Sequence, residues 1–354
     1  MEVAVSADLH LTTKAKNPER FSALESLLKQ LVARNISQLI LAGDTFDESG
    51  RNYAEFESIC RAAEFKHIEI LLIPGNHDVD LDGGSLPAEN VRVFAKTHLH
   101  RFEENSLPFL LLPYQPSRTM GEDLAEHTKD LAAGKWILIG HGDWTGGLHE
   151  RNPFEPGVYM PLTRVDIDTY QPKLAILGHI HKPFDGSVVK YVGSPCGLDI
   201  RETGRRRFLT VDTRTGKTAA HTVATDFIYF NESFVVLPVD NELEFVATQI
   251  EQRIRSWALA SEERARARIQ IKLSGYSADK RALMDTLHAG FDGLRFYRDG
   301  EPDLSGVFVA DDSGLAEIAK RVAAAVDSFP LPEQKNQPER EEILLAALKT
   351  IYGD

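Results

Sequence analysis

The chain has 354 residues, 42% of them hydrophobic and 26% charged, and a net charge of −13. That length allows two domains or slightly more and a sizeable core, and no run approaches the roughly 18 apolar residues of a membrane span. The acidity argues against a tight, nonspecific grip on nucleic acid by this chain alone, and two cysteines far apart, Cys60 and Cys196, exclude a disulfide framework and a zinc-thiolate site.

Taken in chain order, the run VAVSA reads as a first strand that ends at Asp8, with His10 two residues on. The chain enters this strand almost at once, so no signal-peptide core is expected, and a cytoplasmic protein is. Phe21, Leu24, Leu27, Leu28 and Leu31 then recur at helical spacing. LILAG forms a strand ending at Asp44, Tyr53 to Phe65 a helix, and ILLIPG a strand ending at Asn76 and His77. This βαβαβ order predicts a largely parallel sheet covered by helices. Two further strands, WILIG and LAILG, end at His141 and at His179, with His181 two residues on. From about Val188 the pattern changes to strands with a turn at Thr215-Gly216, which predicts an antiparallel part packed beside the first sheet. The expected architecture is α/β: a two-layer β-sandwich flanked by helices.

A boundary is expected near Asp226. Beyond it FVVLPV, a helix from Glu242 to Trp257, RIQIKLSGY, a helix from Asp279 to His288 and LRFYRD describe a small α+β unit. A helix over Leu315 to Val326, a proline-containing linker over Phe329 to Pro338 and a last helix follow. Ile343, Leu344, Ala347, Leu348 and Ile351 form one apolar stripe on that helix. It either docks on another protein or folds back on its own core. The division is thus 1–225, 226–312 and 313–354. The arginine stretches Arg201 with Arg205 to Arg207, and Arg264, Arg266 and Arg268, read as solvated surface charge.

Eight residues of metal-binding type, seven of them candidate ligands, therefore stand at five strand ends, where open α/β sheets place their chemistry. A carboxylate such as Asp44 can bridge two cations, Asn76 offers a neutral oxygen, and the histidines offer nitrogen. This mixed set suits Mn²⁺, Fe²⁺ or Zn²⁺ rather than Ca²⁺. It can hold two metals about 3.5–4 Å apart, the arrangement used for phosphate ester hydrolysis. Gly43, Gly75, Gly140 and Gly178 immediately precede proposed ligands and permit tight turns there.

The order DxH, GDxxD, GNHD, GH and GHxH, each after a strand, resembles the calcineurin-like metallophosphoesterase superfamily. Within it the chain looks like the SbcD-like DNA-repair exonuclease branch, with motifs covering residues 1 to about 200. The resemblance implies that Asp8, His10, Asp44 and His181 hold one metal, and that Asp44, Asn76, His141 and His179 hold the other. It implies that His77 contacts the scissile phosphate and helps to protonate the leaving oxygen. Asp78 orients His77 or braces its loop. Asp47 stands where some family nucleases have histidine and is expected to hydrogen-bond a ligand histidine. Lys14, Lys16 and Arg20 are candidates for backbone-phosphate contact, and His149 for approaching the site on its loop. The resemblance further implies Mn²⁺, DNA as substrate, a small capping domain, a C-terminal helical segment that binds the coiled coil of an SbcC-like ATPase, and a homodimer. The competing readings are a nucleotide or other small-molecule phosphodiesterase and a non-enzymatic metal-bound scaffold.

Overall fold

The structure, a computed structural model, describes residues 1–48, 52–146, 157–238, 241–309, 313–330 and 340–352. The chain divides into two compact units, residues 1–198 with 205–226, and residues 199–204 with 227–354.

The first unit runs β1 (Glu2–Ser6), α1 (Pro18–Ala33), β2 (Gln38–Ala42), α2 (Tyr53–Cys60), β3 (Glu69–Ile73), β4 (Val91–Val93), β5 (His98–His100), β6 (Phe109–Leu112), α3 (Met120–His127), β7 (Ile137–His141), α4 (Arg164–Tyr170), β8 (Leu174–Gly178), β9 (Phe184–Asp185), β10 (Val189–Tyr191), β11 (Arg207–Asp212) and β12 (Thr218–Thr222). Its strands form two six-stranded sheets, ordered β12-β11-β1-β2-β3-β4 and β5-β6-β7-β8-β10-β9. The sheets face each other across a shared core. Val5, Ile40 and Leu71 of the first meet Leu111, Ile139 and Ile176 of the second. Burying each such side chain contributes about 1.5–3 kcal/mol. On the outer face of the first sheet lie Phe21, Leu24, Leu27, Leu28 and Leu31, the helical stripe of α1. Met120 and Leu124 of α3, with Trp136, cover the second sheet from outside. The result is a two-layer sandwich flanked by helices.

Two sequence expectations change in detail. The helix starting at Tyr53 stops at Cys60, and turns carry the chain on to β3. The strands after Val188 make no separate antiparallel layer. β10 joins the second sheet parallel to β8, while the β11–β12 hairpin extends the first sheet antiparallel to β1. Backbone donors at the open edge of β1 are satisfied in this way, which local sequence alone does not specify.

The second unit contains β13 (Ile228–Val236), α5 (Glu242–Ser256), α6 (Ser261–Arg264), β14 (Ala267–Ser277), α7 (Lys280–Gly290), β15 (Arg295–Phe296), β16 (Asp303–Val309), α8 (Ser313–Ser328) and α9 (Arg340–Tyr352). β14 is central and parallel to β13, β15 and β16. LRFYRD yields only two strand residues before a turn in which Arg298 and Asp299 adopt left-handed φ values of 54° and 52°. One sheet face buries Phe230, Phe234, Ile269, Ile271 and Leu273 against Val246 and Ile250 of α5 and Leu283 and Leu287 of α7. Of the two readings of the terminal stripe, the structure describes folding back. Leu348 is buried, and Leu344 and Ile351 pack with it, against Val235 and Tyr276 of the same unit. α8 and α9 thus belong to the second unit. The linker, apart from residues 329 and 330, and His149 lie outside the described residues.

Candidate metal centre

The first three parallel strands of one sheet and β7 and β8 of the other deliver their C-terminal ends to one place. Asp8, His10, Asp44, His141 and His179 are all buried there, whereas Asn76, His77, His181 and Asp47 are only half-buried. The floor is closed and the rim is open.

Four of these residues, Asp8, His10, Asp44 and His179, have left-handed φ values of 55°, 46°, 48° and 92°. Non-glycine residues rarely adopt this conformation, and such strain collects where side chains must converge. The adjoining glycines make room. A Cβ on Gly43, itself at φ 91°, would lie 2.1 Å from His141 Nδ1. A Cβ on Gly75 would lie 2.2 Å from Asp44 Oδ1. Gly140 is less constrained, with its nearest neighbour at 3.3 Å. Gly43→Ala combines backbone strain with a clash against a buried ring. It is expected to destabilise the protein by more than about 2 kcal/mol, seen as a lowered Tm in thermal denaturation.

The donor atoms gather in two main groups, and a third, His10, Asp44 and His77, overlaps both. In one, Asp8, His10 and His181 lie with their ligand atoms within 4.8 Å of one another, and His10 Nε2 is 3.1 Å from His181 Nε2. In the other, Asp44, His141 and His179 lie within the same limit. Asn76 Oδ1 sits between the two imidazoles of that group, 2.9 Å from His141 Nε2 and 3.0 Å from His179 Nδ1. Asp44 faces both groups, with Oδ2 3.2 Å from His141 Nε2 and 3.6 Å from His10 Nε2. His77 is tied to the same carboxylate from the side, its backbone N–H donating to Asp44 Oδ1 at 2.9 Å. Asp8 Oδ2 is buried with no hydrogen-bond partner among the described residues. An orphaned buried carboxylate oxygen amid imidazole nitrogens fits a cation.

Backbone groups aim the rings. His141 Nδ1 donates to the Ala42 carbonyl at 2.9 Å, which turns Nε2 toward Asp44 and Asn76. His77 Nδ1 donates to the Asp47 carbonyl at 3.0 Å. The Asp47 side chain faces His10 instead, 3.4 Å from Nδ1, and its pKa lies below the usual carboxylate value chiefly through that contact. Asp47 therefore contacts two of these histidines, His10 through its side chain and His77 through its backbone. Asp78 braces the loops, accepting the N–H groups of Thr45, Phe46 and Gly75 at 2.8, 3.1 and 2.6 Å. Burial and then Asp44 push its pKa up to about 6.

Two arginines are placed differently from expectation. Arg20, a candidate for phosphate contact, points inward, donating to the His10 carbonyl and lying 3.7 Å from Asp47. Arg206, read as solvated surface charge, is 3% exposed and donates to the His181 carbonyl and to Ser194. Each guanidinium holds the backbone of the histidine that closes a D-x-H or H-x-H pair. Nothing in a linear motif marks this. Of the other two candidates, Lys14 pairs at the surface with Glu25, and Lys16 lies exposed beside Asp47 and Glu48. Asp143 and Tyr159 also escaped the sequence reading. Asp143 Oδ1 is 3.8 Å from His179 Nε2, and the Tyr159 ring stands 4.8 Å from the His179 ring. Their only local signal was the acid two residues after His141.

The electrostatics set the charge of the pair at the centre. Burial disfavours a charged His141, but Asp44 and Asp8 outweigh it and push its pKa up to about 10. Burial likewise opposes ionisation of Asp44, yet His141 and then His10 hold it well below the usual carboxylate range. Without metal, His141 contributes stability that is fully present below its ordinary value of 6.5 and lost as pH rises through about 10. Asp44 remains ionised throughout that window. In EDTA the Tm is therefore expected to fall between neutrality and pH about 10. A saturating divalent cation, which replaces the Nε2 proton, is expected to flatten that fall.

Residues 1–183 match the calcineurin-like phosphoesterase family. The chain belongs to this family. The family's reliance on divalent metals agrees with the donor groups described above. The chain is also 26% identical over 215 residues to the Bacillus subtilis (strain 168) protein named uncharacterized metallophosphoesterase YhaO, a match covering 55% of this chain and 50% of that protein. The chain thus spans about half the length of the curated relative that it matches. No helix among the described residues is long and apolar enough to cross a membrane.

Proposed function

We propose that this metallophosphoesterase hydrolyses phosphodiesters of DNA, as the nuclease subunit of an SbcD-like repair complex. The observation that carries the reading is the placement of Asp44 against two donor groups, with His77 held on the same carboxylate at the open rim. Asp8, His10, Asp44 and His181 would hold one cation, and Asp44, Asn76, His141 and His179 the other. The oxygen and nitrogen donors suit Mn²⁺. When bound, the metals would supply Lewis acidity, lowering the pKa of water and offsetting charge on phosphate oxygens.

The protein's own groups do the rest. The open rim admits the phosphodiester, and His77, oriented through Nδ1, presents Nε2 as the atom that gives a proton to the leaving oxygen. Asp47, Arg20 and Arg206 hold His10 and His181 in place. A coiled-coil ATPase would supply much of the grip on DNA that a net charge of −13 withholds. The cytoplasm and a homodimer complete this reading.

The test is hydrolysis of single- and double-stranded DNA with Mn²⁺, alone and with a co-purifying coiled-coil ATPase. Mn²⁺-dependent cleavage, stimulated by the ATPase, is expected. Hydrolysis of cyclic nucleotides or nucleotide esters far faster than DNA would overturn the choice of substrate.

A further inference from the structure

Helix α3 buries Met120 and Leu124 in the core outside the second sheet. Its remaining chemistry is not used by the centre at the strand ends. Asp123, Glu126 and His127 stand at i, i+3 and i+4 along the helix, the spacing at which side chains become neighbours. One ligand atom of each lies within 4.8 Å of those of the other two. Glu126 and His127 are exposed, whereas Asp123 is 1% exposed. A carboxylate so deeply buried normally has its oxygens satisfied. Here Asp123 Oδ1 accepts from Gln115 Nε2 at 3.1 Å and from Thr97 Oγ1 at 3.4 Å. Oδ2 is buried with no hydrogen-bond partner among the described residues. Arg118 Nε stands 3.6 Å from it, too far for a hydrogen bond.

The imidazole is held in the same spirit. His127 Nδ1 donates to the Asp123 carbonyl at 2.9 Å, which in the neutral ring leaves the lone pair on Nε2. A ring nitrogen tied to a backbone carbonyl, with its partner nitrogen left as acceptor, is how ligating histidines are oriented. Gln115 and Thr97 orient the carboxylate in the same way, leaving Oδ2 for a ligand. The charge also favours a cation. Two carboxylates face one guanidinium, for Arg118 also reaches Glu126 Oε1 at 2.8 Å. With the Arg118 side chain 32% and that of Glu126 59% exposed, that pair contributes little and is readily displaced.

We propose that Asp123, Glu126 and His127 form a further cation site, for Zn²⁺, separate from the centre at the strand ends. Two carboxylate oxygens and one imidazole nitrogen, with water as the fourth ligand, make a tetrahedral zinc set. The imidazole sets it apart from the all-oxygen sites of Ca²⁺ and Mg²⁺. For zinc the donors must draw together to about 3.5 Å, a movement that exposed Glu126 supplies as Arg118 yields. The ion then ties α3, through Asp123, to Gln115 and Thr97. None of these residues is assigned to phosphodiester hydrolysis, so the site is independent of the nuclease reading. The test is zinc uptake by the full chain, stripped with EDTA and dialysed against Zn²⁺, read by inductively coupled plasma mass spectrometry. The wild type should hold one zinc ion more per chain than a Glu126→Gln/His127→Gln double variant, however many ions the other centre takes. Both substitutions are at exposed positions, so the variant should fold, with an unchanged Tm in EDTA. Zinc should raise the Tm of the wild type more than that of the variant. Gln115→Ala, which removes a donor from Asp123, should weaken the ion's binding by about ten-fold. Arg118→Gln, which removes the competing guanidinium, should tighten it several-fold. Equal zinc uptake by the wild type and the double variant, or weaker binding in Arg118→Gln, would overturn the proposal.

Discussion

Replacing Asp44 with asparagine is expected to lower phosphodiester hydrolysis by about a thousand-fold, near 4 kcal/mol of barrier, and to cost the protein bound metal. The side chain keeps its size, so the effect isolates charge. Asp44 Oδ2 faces His141 and His10, one from each donor group, while Oδ1 accepts the His77 N–H. An amide cannot bridge two cations as a carboxylate does. Metal content by inductively coupled plasma mass spectrometry should fall from two ions toward one or none, and added Mn²⁺ should raise the Tm less than in the wild type. Hydrolysis within ten-fold of wild type, with two metals retained, would rule out a bridging Asp44.

His77→Ala should leave metal content intact and reduce kcat by about 10²–10⁴-fold. His77 lies near His10, ring centroids 4.6 Å apart, but is held on Asp44 through its backbone and on the Asp47 carbonyl through Nδ1. The role proposed for it is proton delivery, so the loss should depend on the leaving group. An ester of a nitrophenol leaves without help and should suffer little, whereas DNA, whose leaving oxygen is a sugar alkoxide, should suffer most. An equal loss on both substrates would point to binding or folding rather than acid catalysis. Loss of metal from this variant would make His77 a ligand and end the separate role.

Much of the site could be read in one dimension because its residues follow local rules. Each candidate stands just after, or at the end of, an apolar run that forms a buried parallel strand, and a glycine immediately precedes four of them, Asp44, Asn76, His141 and His179. Strand direction then forces the ends to one side of the sandwich. The same period-based reasoning found the buried stripe of α1 and placed the ends of α5 and α7 to within two residues. It failed for β16, whose DLSGVFV lacks a clear alternation, and for LRFYRD, where left-handed Arg298 and Asp299 end the strand after two residues. It also left the terminal stripe undecided, since an apolar helix face is identical before and after it finds a partner. Folding back is decided by Val235 and Tyr276, which lie far from α9 in sequence.

Residue type and order along the chain were thus enough to point to the calcineurin-like phosphoesterase family and to name the candidates for a metal centre, because ligand chemistry and strand ends are local properties. Long-range contact was needed for everything that holds those candidates still. Arg20 and Arg206 look like surface cations in the sequence, but close packing turns both guanidinium groups onto ligand-bearing backbone. Arg268 and Arg295, 27 positions apart, become neighbours only when β14 and β15 pair. The distinction is physical: a side chain's chemistry travels with its letter, while its charge state, orientation and company are set by whatever the fold brings against it.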